Sequence, residues 1–282
     1  MTKCSVIPDT NIVVFDFKTL LYLTVATFLS FLPLSSVAED AHPAKSLTAQ
    51  ASDPNAPLIQ LSFTNLYAPE VYNSSGTYNY FQIQPVVPVP KGEGSFPGQV
   101  IRPTLPFFKL PDGTSGLGDI NLVHLFIPDL KHWGSWGLGY TFTAPTAVED
   151  ELGQGKWQIG PAASLMYYGI KNWQLGGLVT NTVSFAGDDN RSDVNVFTYQ
   201  PILNHMFGDW YLGIGDLVWE HDWNDGGGWT IPLGLQLGRI TKIGKHNYNL
   251  SAEIVYTATR QDENLEQPEW GFRLGIVLLL PE

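Results

Sequence analysis

From Ile59 to Leu280, apolar and aromatic side chains recur at every second position for about ten residues at a time, and each stretch stops at polar or glycine-rich residues. The clearest stretch sets Trp136, Leu138, Tyr140 and Phe142 against Gly137, Gly139, Thr141 and Thr143. Successive side chains on a strand point to opposite faces, so this pattern makes a ribbon with one apolar face and one small, polar face. The alternation predicts strands over 58–66, 78–89, 99–107, 117–127, 135–144 and 156–168, and then over 172–185, 194–206, 210–219, 229–240, 248–258 and 270–280. An even set of about twelve such ribbons is what an up-and-down antiparallel transmembrane barrel needs for both ends to lie on one side. A soluble periplasmic sandwich is the competing all-β architecture.

The connections and their charges favour the barrel. In the second half, Gly169-Ile170-Lys171, Phe207-Gly208-Asp209 and Lys242-Ile243-Gly244-Lys245 are tight, whereas 186–193, 220–228 and 259–269 are longer, as short periplasmic turns and long external loops require. The predicted external loops carry Glu70, Asp112, Glu149, Asp150, Glu151, Asp188, Asp189, Asp222, Asp225, Asp262, Glu263, Glu266 and Glu269. The predicted turns carry Lys91, Lys131, Lys171, Lys242 and Lys245. Trp136, Trp157, Trp173, Trp210, Trp229 and Trp270 stand near strand ends, where indole rings meet the headgroup zone. Phe272, Leu274, Ile276, Leu278 and Leu280 give the last strand one continuous apolar face.

Before the strands, Lys3 and Lys18 precede an apolar run over 19–34 that ends in Ser36-Val37-Ala38. This reads as a secretory leader over 1–38, exported through the Sec pathway, with a small-x-small cleavage site. As a membrane anchor it falls short of the roughly 20 apolar residues a spanning helix needs. Residues 39–57, rich in Ala, Ser, Pro and Gln, read as a flexible periplasmic lead-in, and 58–282 as the barrel. Cys4, the single cysteine, lies in the leader, which leaves the barrel to hydrogen bonding and burial. Charged residues make up only 15% of the chain against about 25% in soluble domains, and aromatics reach 13%. The net charge of −12, with no basic cluster, excludes nucleic acid as a partner.

Candidate chemistry is sparse. His124, His132, His205, His221 and His246 are scattered without the Ser and Asn neighbours of a barrel lipase, so no catalytic residue is assigned. Asp188, Asp189, Asn190 and Asp193, and likewise Glu220, Asp222, Asn224 and Asp225, are oxygen-rich but lack the spacing of a calcium loop; they read as solvated loops facing lipopolysaccharide, and no metal or cofactor is expected. With the apolar parity outward, the inward positions include Gln82, Gln84, Arg102, Gln158, Gln174, Thr180, Gln200, Asn204, Gln236, Asn249, Glu253 and Arg273. These are the candidate pore-lining residues, mostly amides and hydroxyls, and Glu253 and Arg273 stand where adjacent strands would pair them across the lumen wall.

The strings 116–120, 150–157 through Gly160-Pro161, 184–188 through Arg191, Asp193, Val194 and Asn195, 229–234 and Gly238-Arg239 resemble the bacterial outer-membrane barrel family labelled MetA-pathway phenol-degradation proteins, whose members are also called neuromedin U or transporters. The resemblance covers nearly all of the chain after the leader. It implies an outer-membrane barrel of a Gram-negative cell, inserted by the barrel assembly machinery among lipid and lipopolysaccharide, with uptake of phenolic or other aromatic compounds; it assigns no residue a role. The expected function is a channel for passive or facilitated uptake of small hydrophobic or aromatic solutes, without catalysis. The alternative is a non-transporting barrel, structural or adhesive, acting through its acidic external loops.

Overall fold

The computed structural model describes residues 46–91, 97–128, 131, 133–215, 217–224, 226, 228–261 and 266–280. The leader read over 1–38 and the first residues of the lead-in lie outside these. Among the described residues one short helix, α1 (Leu47–Ala51), precedes the strands. These are β1 (Ile59–Val71), β2 (Tyr78–Val89), β3 (Gly98–Lys109), β4 (Ser115–Leu117), β5 (Ile120–Ile127), β6 (Gly134–Ala144) and β7 (Lys156–Tyr167). They continue as β8 (Trp173–Gly187), β9 (Asn195–Phe207), β10 (Trp210–Ile214), β11 (Trp219–Asp222), β12 (Ile231–Ile243), β13 (His246–Thr259) and β14 (Pro268–Leu280).

Neighbouring staves pair antiparallel, β3 with β5 past the short β4 and β9 with both β10 and β11, and β14 pairs with β1 from Ile59↔Leu280 to Val71↔Pro268, which closes the sheet. The result is a closed barrel of 12 staves, because β4 with β5 and β10 with β11 each make up one interrupted stave. Closure leaves no unpaired edge, the condition for a sheet to face lipid.

The strand alternation becomes inside and outside. On β6, Trp136, Leu138 and Tyr140 are exposed on the outer surface while Gly137, Thr141 and Thr143 are buried inside. Asn121 on β5 donates to both threonine hydroxyls at 2.9 Å, so the inner face has its own polar network. At Gly139 a Cβ would lie 1.8 Å from the His124 carbonyl, which explains a glycine in mid-strand. The lysines of the short turns, Lys91, Lys131, Lys171, Lys242 and Lys245, are exposed at the end where residues 59 and 280 meet.

Three departures from the simple alternation have local causes. The predicted strand over 117–127 breaks at Gly118-Asp119, where the Asp119 carboxylate accepts the N–H groups of Ala147 (3.1 Å) and Gln154 (2.7 Å) and ties down the following loop. The predicted strand over 210–219 breaks at 215–218, where Gly215 N–H donates to Glu253 at 3.2 Å and Leu217 turns inward to 1% exposure. The β2–β3 ladder skips from Ile83↔Leu105 to Val87↔Ile101. Pro85 and Pro103 fall opposite each other in this gap, and neither has an N–H to donate. Gln84 bridges the gap by donating to Thr104 Oγ1 at 2.7 Å.

Candidate functional site

The lumen is the candidate site. Its turn end is filled by the chain itself: residues 46–57, read from the sequence as part of a flexible lead-in, fold back inside the barrel. Ser46 caps α1 by accepting the Ala49 N–H at 3.1 Å. Ala49 packs on Met206 and Tyr211, and Ala56 and Leu58 pack on Ile240, Val277 and Leu279. The barrel wall reaches in to meet the plug: Gln174 donates to the Ala49 carbonyl at 2.6 Å, Asn55 donates to Ser135 Oγ at 3.0 Å, and Ser164 donates to Asn55 Oδ1 at 2.5 Å. The Asp53 carboxylate accepts from the Tyr168 hydroxyl and, at 2.8 Å, from the Asn55 N–H. A polar, proline-containing stretch looks unfolded by composition. Here its small residues fit between inward strand positions, and its polar groups find partners on the wall.

Beyond the plug lies a cavity of about 90 Å³. Gln60, Ser62 and Thr64 of β1, Gln84 of β2, Gln200 and Asn204 of β9, Gln236 of β12 and Asn249 of β13 line it, along with Arg102. Arg102 Nη2 donates to Gln200 Oε1 at 3.1 Å, joining β3 to β9. Four strands separate these two along the shorter way round the wall, so this contact crosses the lumen and narrows it.

The opposite inner wall carries an apolar cluster. Val86, Val100, Val123, Leu125, Ile127, Ala162 and Leu178 form a buried cluster on β2, β3, β5, β7 and β8. On β5 to β8 this cluster stands beside the Asn121, Thr141 and Thr143 network. The alternation shows which positions face inward, but their composition has to be read strand by strand. Towards the loop end, Phe108 lies 5.1 Å from the ring of Tyr80 and 6.4 Å from that of Tyr78. Leu66, Leu217 and Val255 pack beside these tyrosines. A Cβ at Gly118 would meet the Phe108 ring at 2.4 Å, so glycine leaves the ring its place.

Ten of the twelve candidate pore-lining residues divide by partner. Gln84, Arg102, Gln200, Asn204 and Gln236 line the cavity. Gln82 accepts from the Tyr80 hydroxyl at 2.7 Å. Gln158 donates to Gln154 at 3.2 Å near the loop end, and Gln174 is wholly buried against the plug. Glu253 and Arg273 are register partners on β13 and β14, joined at 3.1 Å, with the Glu253 side chain fully buried. A Cβ at Gly215 or Gly234 would lie 2.3 or 2.4 Å from a Glu253 carboxylate oxygen, so the ion pair sits in a seat that two glycines leave open. The lining residues left off the candidate set, Gln60, Ser62 and Thr64, alternate with Leu61 and Phe63, a signal of the same kind as the others. The plug has no periodic signal.

Three of the histidines are engaged outside the lumen: His124 contacts Gln99 at 2.8 Å and Tyr140 at 3.0 Å, His205 packs on Trp173, and His221 lies between Trp223 and Trp229, while His132 lies outside the described residues. Among the described residues no group of three His, Cys, Asp or Glu side chains converges as metal ligands. In the acidic loops, Asp188 accepts from Asn190 N–H and Nδ2 (2.9 and 3.0 Å), and Asp222 from Asn224 N–H (2.9 Å), so these carboxylates shape turns. The backbone bond from Asn190 holds the Asp188 carboxyl below its usual range.

No family model matches the chain, and no curated protein matches it by sequence. Solved structures do match. An outer membrane channel from Pseudomonas putida F1 superposes with a TM-score of 0.55 at 13% identity, over 86% of this chain and 99% of that one. The NanC porin follows with a TM-score of 0.50 at 12% identity, over 77% of this chain and 98% of that one. An outer membrane phospholipase from Salmonella typhi, a dimer with bound calcium, matches with a TM-score of 0.45 at 14% identity, over 86% and 99%. At such identities the likeness is one of fold, and a fold does not by itself select a function.

Proposed function

We propose that this protein is an outer-membrane channel for small solutes that combine an apolar, aromatic body with a hydrogen-bonding group. The observation that carries the reading is the two-sided lumen, with amides and hydroxyls on β1, β9, β12 and β13 facing the apolar cluster on β3, β5, β7 and β8. An aromatic solute has a face for Tyr78, Tyr80 and Phe108 at the loop end and a polar group for the amides further in. The names of the two matched channels support transport across an outer membrane, and the resemblance to phenol-degradation barrels supports aromatic compounds. On this reading the protein sits in the outer membrane among lipid and lipopolysaccharide, is exported by its leader, is inserted by the barrel assembly machinery, and works without a cofactor.

The plug favours a second reading, a barrel that does not transport and acts through its acidic loops. Swelling of liposomes carrying the purified barrel separates the two. Phenol and benzyl alcohol, each measured above its rate in protein-free liposomes, should enter faster than glucose, and Arg102→Ala should raise all of these rates. A folded barrel that passes no solute, with or without residues 46–57, would leave only the second reading.

A further inference from the structure

Glu220, read from the sequence as part of a solvated loop, stands on β11 and points into the lumen. It is the register partner of Thr198, which shares the inward face of β9 with Gln200 and Asn204, while Trp219 pairs with Tyr199 and meets its ring edge-on outside. The inward turn at 215–218 sets Glu220 across the lumen from β2. Leu217, three residues before it, packs with Leu66 and Val255 against Tyr78 and Tyr80, and the charges of both Glu220 and Arg273 act on the Tyr78 hydroxyl. Water reaches Glu220 although the barrel encloses it. Among the described residues its carboxylate has neither a cation nor a hydrogen-bond donor, in contrast to Glu253, which Arg273 neutralises at 3.1 Å. We propose that Glu220 and the rings of Tyr78, Tyr80 and Phe108 form a cation-selective site at the loop end of the lumen, whose ligand is a small organic ammonium carrying an aromatic group. The proposal rests on the channel reading above and narrows its solute class.

The physical reason is an uncompensated charge beside an aromatic face. Glu220, Glu253 and Arg273 set two carboxylates against one guanidinium, which leaves a net negative charge at this level of the lumen. Asp222, the next inward position on β11, adds another towards the loops. Among loop-end cations, Lys156 is paired with Asp193 at 3.3 Å, Arg191 donates to the Gly153 carbonyl, and Arg260 lies over the Tyr72 ring. A lumen lined by one sign of charge with low-dielectric walls concentrates the opposite ion. A carboxylate without a partner loses solvation when the barrel encloses it, and a cation beside it offsets that loss. The rings extend the same preference, because a tyrosine or phenylalanine face attracts an ammonium within about 6 Å of its centroid. Phe108 lies 5.1 Å from Tyr80 and 6.4 Å from Tyr78, so the three rings present one continuous surface on which an aromatic group also packs. A neutral phenol gains only the packing, and an aromatic carboxylate is repelled by Glu220.

The probes are benzyltrimethylammonium, whose permanent charge keeps it out of lipid, and tetramethylammonium, a cation of the same charge without the ring. In planar bilayers holding the purified barrel, the reversal potential in a gradient of each chloride salt gives the permeability ratio of cation to chloride. The parent barrel should favour benzyltrimethylammonium by about tenfold at low salt. Glu220→Gln, which keeps the side-chain shape, should lower that ratio by about threefold or more, and Glu220→Arg should turn the preference towards chloride. Phe108→Leu should lower the ratio for benzyltrimethylammonium by more than that for tetramethylammonium. Saturation-transfer NMR on the detergent-solubilised barrel reads binding without any current, and benzyltrimethylammonium should bind the parent and lose its signal with Glu220→Gln. A Glu220→Gln barrel that binds the cation as its parent does overturns the site, and so does a permeability ratio that this change leaves where it was. The two readings stay apart: currents without either effect of Glu220 remove the site and leave the channel, and Glu220-dependent binding without currents removes the channel and leaves the site. Heat-modifiable migration confirms that each variant is folded.

Discussion

Replacing Arg273 with Met isolates the cost of the lumen ion pair. The Glu253 side chain is fully buried, and its partners include Arg273 at 3.1 Å and the Gly215 N–H at 3.2 Å. Arg273 itself is only 14% exposed, so little water is at hand to replace it. Removing one partner of a buried pair leaves an uncompensated charge and costs about 3–5 kcal/mol. That is a large share of a typical folding free energy of about 5–15 kcal/mol. The double change Glu253→Met with Arg273→Met removes both charges and fills similar volume, so it should cost less than Arg273→Met alone. Reversible urea unfolding of the barrel in liposomes, followed by tryptophan fluorescence, yields both numbers and the coupling between them. If Arg273→Met costs under about 1 kcal/mol, or the double variant is the less stable of the two, lumen water solvates the pair and the burial argument fails.

Further tests address the other parts of the wall and plug. Gly234→Ala should destabilise the barrel by about 1–3 kcal/mol in the same assay, because its Cβ would press on the Glu253 carboxylate, and Glu253→Ala should relieve part of that cost. Leu138→Arg, on the outer face of β6, should cost about 2–4 kcal/mol when it faces the bilayer middle, whereas Thr141→Ser, inside on the same strand, removes one buried methyl and should cost about 1 kcal/mol. Asn55→Ala removes the contacts to Ser135 and Ser164, and limited proteolysis should then cut within 46–57 at least tenfold faster, since each lost buried bond is worth about 1–3 kcal/mol.

Much of the architecture is legible in the chain because a strand that separates lipid from a polar interior must alternate with period two. Trp136, Leu138 and Tyr140 faced out and Thr141 and Thr143 faced in by that rule alone, and the same parity set Glu253 opposite Arg273. The bounds of β2, Tyr78–Val89, coincide with the predicted strand. The interruptions at Gly118-Asp119 and 215–218 were not legible, because each depends on a distant partner: the N–H groups of Ala147 and Gln154 in one case, the Glu253 carboxylate in the other.

The alternation, the loop lengths and the charge split thus determined a closed antiparallel barrel of about twelve staves and which face of each stave looks inward. Only the tertiary structure decided what the inside contains. Period two states that a side chain points into the lumen, but not which residue stands opposite it across the barrel, because such contacts join positions far apart in the chain. The meeting of Arg102 with Gln200, the gathering of Val100, Val123 and Leu178 into one apolar cluster, and the return of residues 46–57 into the lumen they precede all depend on closure of the sheet.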